Sequence, residues 1–175
     1  LWRRGRYAGR VPARPSGGWR LSFTFTMECS VVEAQLDEAD HALIGVAQET
    51  IRRFYKPDWN QVAAAVRTRS GRTFTSVNLD THVGVAGVCA EPIAIGQAIL
   101  AAQSEADGEI ASVVAVRGFG GQRPPERIEI VSPCGKCREL IADYGPEAHV
   151  LVPSESGPSK IAIAHLLPRK YNKHP

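Results

Sequence analysis

Four residues in two short stretches have the types and spacing to hold a metal and move a proton: Cys89 and Glu91 in "CAE", and Cys134 and Cys137 in "PCGKC". A Cys-x-x-Cys at a helix start serves disulfide exchange, a structural zinc clamp or a catalytic metal site. Cys134 and Cys137 lie one helical turn apart, so their sulfurs face one direction. The free N–H groups and dipole of a helix start favour their thiolate forms. Disulfide exchange would use that pair and leave Cys89 and Glu91 without a role, whereas a zinc ion uses all four. Three protein ligands leave one tetrahedral position open for water, as a catalytic zinc requires; a closed structural site needs a fourth ligand. Glu91, two residues from a ligand, can reach a water on such an ion, collect its proton as general base and deliver it as general acid. The bland alternative for Glu91 is a first-turn acid that complements the helix dipole.

Cys29 is a candidate fourth ligand, but it lies 60 residues before Cys89 and has no partner cysteine nearby. A free cysteine of that kind is commonly a small buried hydrophobe. His41, His82, His149, His165 and His174 form no His-x-x-x-His pair. Only His82 falls close to the motif, and it reads as a loop histidine.

The elements that must position these residues follow from hydrophobic periodicity. Leu43, Ile44, Ala47, Ile51 and Phe54 recur at helical spacing within "DEADHALIGVAQETIRRFY", an amphipathic helix started by acids. "QVAAAVRT" and "RTFTSVNL", separated by the turn "RSG", form an antiparallel hairpin. "VCAEPIAIGQAILAAQ" has helical composition, and Pro92 fits it only in the first turn. Then come a buried-type strand "IASVVAVRGF", the loop "GGQRPPER", a strand "IEIVS" and a helix "PCGKCRELIADY". A strand "HVLVP" and a short helix "IAIAHLL" close the chain. Helices alternating with strands predict an α/β domain with helices on both faces of a sheet. Both cysteine motifs fall at strand-to-helix junctions, where such folds usually bind ligands.

A chain of 175 residues has the size of one domain and can bury a sizeable core. Its 43% hydrophobic and 22% charged residues argue against wholesale disorder or a fibrous repeat. No apolar run approaches the roughly 20 residues of a membrane helix. The net charge of +3 is uneven: residues 1–26 carry six arginines and no acid, leaving three more acids than bases in the remainder. The body therefore lacks the basic stripe of a nucleic-acid binder. The leader, rich in Arg, Gly and Pro, reads as a flexible tail, and Met27, the single methionine, as the natural start of a domain over 27–175.

"CAE", followed by "PCGKC" with its first cysteine 43 residues after Glu91, resembles the signature of the zinc-dependent cytidine deaminase superfamily. With Cys89 in the first ligand position, the chain is similar to the three-cysteine, small homotetrameric branch that holds cytidine deaminases and blasticidin-S deaminase. The resemblance runs from about Ile51 to Tyr171 and includes the closing "LLPRKY". It implies a three-layer α/β/α sandwich with a mixed sheet, one Zn2+ per chain on Cys89, Cys134 and Cys137, and Glu91 as proton shuttle. It further implies that Ala90 offers its backbone N–H to the substrate carbonyl, that Asn78 and Asp80 of "VNLD" hold the sugar, and that Tyr171 helps build a neighbouring subunit's site. Asn78 and Asp80 read equally well as turn residues. The implied reaction is hydrolytic deamination of a free cytosine nucleoside, cytidine or deoxycytidine, with release of ammonia.

Three departures from that pattern bear on the substrate. Pro92 stands where the nucleoside branch usually has an arginine that offsets the thiolate charge, leaving Arg138 and the two helix starts to do so. Asp80 is one methylene shorter than the usual Glu, and "DWNQVAAAV" replaces the usual run before the hairpin. The missing arginine is shared with blasticidin-S deaminase, so a modified cytosine nucleoside is the alternative substrate. A thiol redox protein and a non-catalytic zinc protein are the alternatives of other classes. Thiolate ligation needs reduced cysteines, which predicts a cytoplasmic protein with no membrane or nucleic-acid partner.

Overall fold

The computed structural model describes residues 34–172; the leader and Cys29 lie outside the described residues. Helix α1 (Glu38–Phe54) begins where Asp37 and Asp40 cap each other: the Asp40 N–H donates to Asp37 Oδ1 at 2.8 Å and the Asp37 N–H to Asp40 Oδ2 at 3.2 Å. Strands β1 (Val62–Thr68) and β2 (Thr73–Val77) form the expected hairpin, with Ala65 opposite Thr75. Helix α2 (Ala90–Leu100) follows, then a single turn α3 (Glu105–Gly108) and the long strand β3 (Ile110–Phe119). Strand β4 (Arg127–Val131), helix α4 (Gly135–Tyr144), strands β5 (His149–Ser154) and β6 (Gly157–Ala162) and helix α5 (Ile163–Leu166) complete the domain.

The sheet order is β2-β1-β3-β5-β6, with β4 also paired to β3. One edge of β3 pairs antiparallel with β1; its other edge is shared. Ser112–Val114 pair parallel with β5, and Ala115–Phe119 pair antiparallel with β4, so the sheet is mixed. Side chains alternate across its central stretch, as the pleat requires, up to a register shift between Arg67 and Thr68 where β1 pairs with the start of β3. Ala63, Ala65, Val114, Val116 and Leu151 meet Leu43, Ile44, Ala47 and Ile51 of α1 on one face. Val66, Val113, Val150 and Val152 meet Ala94, Ile95, Ala98, Ile141 and Ile163 on the other. The result is the expected three-layer α/β/α sandwich. Helix α4 ends at Gly145, where a Cβ would lie 2.2 Å from the Ile110 carbonyl oxygen, so no larger residue fits.

One element differs from expectation. The closing segment "IAIAHLL" is not helical throughout: Ile161 and Ala162 belong to β6, and only Ile163–Leu166 form a turn of helix. Ile161 and Ile163 both enter the core, a spacing of two that fits a strand running into a cap. Pro158 is tolerated because β6 ends the strand order, where a missing N–H interrupts no ladder.

Asp40 is fully buried and receives Lys160 Nζ of β6 at 2.7 Å and Arg67 Nη2 of β1 at 3.4 Å, joining the start of α1 to both strands. Lys160→Met leaves that buried carboxylate with the longer Arg67 contact as its one cation, beside the Asp37 N–H. It should cost about 3 kcal/mol, the low end for breaking a buried pair, read as a lower denaturant midpoint at unchanged slope.

Candidate metal centre and substrate cleft

The shared edge of β3 brings the two cysteine motifs together. Ala115 of β3 lies opposite Ala64 of β1 on one side and Val131, the last residue of β4, on the other. The first residue of α2, Ala90, packs onto Ala64 and Ala115, and all three are buried. Both helices therefore start above the same point of the sheet, with Cys89 as N-cap of α2 and Cys134 as N-cap of α4. Pro92 occupies the third position of α2, inside the first turn, where its missing N–H breaks no helical bond. Ser76 of β2 secures this start: its buried hydroxyl donates to the Ala90 carbonyl at 2.5 Å.

The Cys89, Cys134 and Cys137 sulfurs all lie within 4.8 Å of one another, the one such group of three among the described residues. Cys89 and Cys134 Sγ are 3.7 Å apart, and Cys134 and Cys137 Sγ are 3.5 Å apart. A tetrahedral zinc with bonds of 2.3 Å holds its sulfurs about 3.8 Å apart, so the three thiols fit the ion with little movement. Soft sulfur ligands select zinc over magnesium or calcium.

Electrostatics divide the three. Burial, then the negative Glu91 and the neighbouring thiols, push Cys137 far above the ordinary thiol range. Cys89 is also raised, first by burial and then by its contact with Cys134. For Cys134 burial acts upward too, but the Cys137 backbone N–H and the two neighbouring thiols outweigh it and hold it below the usual value.

Glu91 is buried, 4% exposed, and lines a cavity of about 390 Å³ together with Cys89, Ala90 and Cys134. That volume is in the range of small-molecule sites. Val62, Leu79, Val131 and Ser132 supply walls that sequence reasoning did not single out. Residues 79–88 form a loop along the cavity, a flap in outline, joined at its base where the Leu79 and Val88 N–H groups exchange bonds with each other's carbonyls at 2.9 and 2.8 Å. Asp80, exposed, stands on this flap at the cavity wall and accepts from the Thr81 N–H at 2.8 Å. His82 stacks edge-on against Trp59 with ring centroids 5.2 Å apart, consistent with its reading as a loop residue.

Asn78 also lines the cavity, but its polar groups are engaged elsewhere. Its Oδ1 accepts from the Val62 N–H at 2.9 Å and its Nδ2 donates to the Trp59 carbonyl at 3.0 Å. Its backbone N–H donates to the Val62 carbonyl, and its own carbonyl accepts from Asn60 Nδ2. Tyr171 stands outside this cavity and is 75% exposed.

A raised thiol must lose its proton to bind a metal, so affinity rises with pH. Zinc binding at pH 7 should release at least two protons per ion, from Cys89 and Cys137, and weaken steadily from pH 8 to pH 6. Calorimetry in buffers of different ionisation enthalpy measures that count, and pH-independent binding would contradict it.

Comparison with known proteins places the chain. Residues 37–152 match the family described as the cytidine and deoxycytidylate deaminase zinc-binding region. Blasticidin-S deaminase of Bacillus cereus is 37% identical over 139 residues, covering 79% of this chain and 96% of that protein. The crystal structure of cytidine deaminase from Mycobacterium leprae is 25% identical with a TM-score of 0.56, covering 74% of this chain and 97% of that one. The Burkholderia pseudomallei cytidine deaminase is likewise 25% identical, with a TM-score of 0.57 and coverage of 75% and 98%. Taken with a three-cysteine cluster at two helix starts, these matches mean that the chain belongs to the cytidine deaminase family of zinc-dependent hydrolytic deaminases.

Proposed function

We propose that the substrate is a free cytosine nucleoside modified on its sugar side, of the blasticidin S kind. The observation that carries this reading is the bonding of Asn78. Its Oδ1 and Nδ2 are committed to Val62, the first residue of β1, and to Trp59 just before it, which leaves Asp80 as the polar side chain of the "VNLD" turn facing the cavity without such a tie. The 37% identity to blasticidin-S deaminase and the proline after Glu91 support the same choice. Cytidine and deoxycytidine are the second reading, favoured by Asp80 itself, whose carboxylate can accept from a ribose hydroxyl.

Cys89, Cys134 and Cys137 would hold the zinc, which supplies Lewis acidity and a nucleophilic water near neutral pH. The remaining work belongs to the chain. Glu91, enclosed beside the ligands, takes a proton from water on its carboxylate. It passes protons to the ring nitrogen and then to the departing amino group, which leaves as ammonia. The Ala90 N–H, at the first position of α2, has no intrahelical acceptor and is available to the carbonyl of the base. Val62, Leu79 and Val131 exclude water around the ring. We further infer a homotetramer in which Tyr171 completes a neighbour's site, supported by its exposure and its position outside its own cavity. The cytoplasm is the compartment this reading favours, because it keeps such thiols reduced.

Ammonia release from blasticidin S, cytidine, deoxycytidine and cytosine, with zinc content measured alongside, tests the reading. Turnover of blasticidin S above that of cytidine is expected, and Glu91→Gln should lower kcat by about 10²- to 10⁴-fold while retaining zinc. Preference for cytidine selects the second reading, and an undiminished Glu91→Gln variant contradicts the mechanism. Light scattering on the same protein should give the mass of four chains; a monomer would contradict the shared site.

A further inference from the structure

Arg138 follows Cys137 directly, and three thiolates against one divalent ion leave a negative excess that a guanidinium would offset. The geometry of Arg138 answers to a different task. Its Nε–H donates to the carbonyl of Pro133 at 3.0 Å, the residue immediately before Cys134. Its Nη1–H donates to the carbonyl of Leu166 at 3.0 Å, the last residue of α5. That carbonyl has no acceptor role within its own helix, so the guanidinium caps α5 while gripping the loop that carries Cys134. Farther along α4, Lys170 Nζ reaches Asp143 at 2.8 Å and Glu139 at 3.3 Å, so the segment after α5 is tied to the same helix.

We propose that Arg138 is a positioning residue for the metal loop, holding Pro133–Cys134 and the end of α5 together through the fixed fork of its guanidinium rather than through its charge. The inference rests on the reading of Cys89, Cys134 and Cys137 as zinc ligands. A lysine keeps the charge but presents a single ammonium on a flexible stem and cannot span both carbonyls in that geometry. The coupling is reciprocal: if the α5 contact tightens zinc binding, zinc must steady α5 by the same factor, although α5 holds no ligand.

The test is zinc affinity, by competition with a chromophoric chelator, for wild type, Arg138→Lys and Arg138→Met. Both variants should bind about 10- to 100-fold more weakly than wild type, and by similar factors, as for other residues that orient metal ligands. Wild-type affinity in Arg138→Lys beside a loss in Arg138→Met would make charge the agent and overturn the proposal, as would full affinity in both. Wild type that binds no zinc would instead remove the ligand reading on which the proposal rests, and the proposal with it. Should the variants fail to fold, amide hydrogen exchange on wild type decides. Zinc removal should speed exchange across residues 163–167, and unchanged exchange there overturns the assignment.

Discussion

Only methyl groups separate the start of α2 from the sheet beneath it, and the site depends on that closeness. Ala90 rests on Ala64 and Ala115, all three buried, and Ala115 is flanked by β1 on one side and the end of β4 on the other. A larger residue at any of these positions would lift the helix start away from β4, and with it Cys89 from Cys134. Close packing leaves no slack to absorb such a change. The "VAAAV" run of β1 therefore does more than fill a core: Ala63 and Ala65 admit α1 on one face while Ala64 admits the metal centre on the other.

Much of this was legible in the sequence, and for definite reasons. The helix from Glu38, the β1–β2 hairpin, β3, β4 and β5 each carry a local hydrophobic period, and the two cysteine motifs stand at junctions where such folds bind ligands. Strand β6 was not legible because "GPSKIA" has the composition of a turn. It is a strand because β5 pairs with it and because Lys160 reaches the buried Asp40, both contacts with residues distant in sequence. The flap of residues 79–88 likewise depends on one backbone bridge, which no periodicity announces.

Asn78 illustrates the same limit at the site. Its type and its place after β2 marked it as a sugar contact or a turn residue, and it does line the cavity. Its side-chain partners, the Val62 N–H at the start of β1 and the Trp59 carbonyl just before it, are distant in sequence and meet Asn78 only because β1 pairs with β2. Ser76 escaped notice because a hydroxyl within "TFTSV" reads as an ordinary strand residue until its bond to Ala90 is seen. Arg138 was legible as a charge near the thiols, while its two carbonyl partners required the fold.

The central claim is an open site with three cysteine ligands, and X-ray absorption at the zinc edge tests it most directly. The account predicts three sulfur neighbours at about 2.3 Å and one lighter oxygen or nitrogen neighbour at about 2.0 Å. Four sulfurs would contradict it, since a fourth thiolate such as Cys29 would close the position that hydrolysis requires.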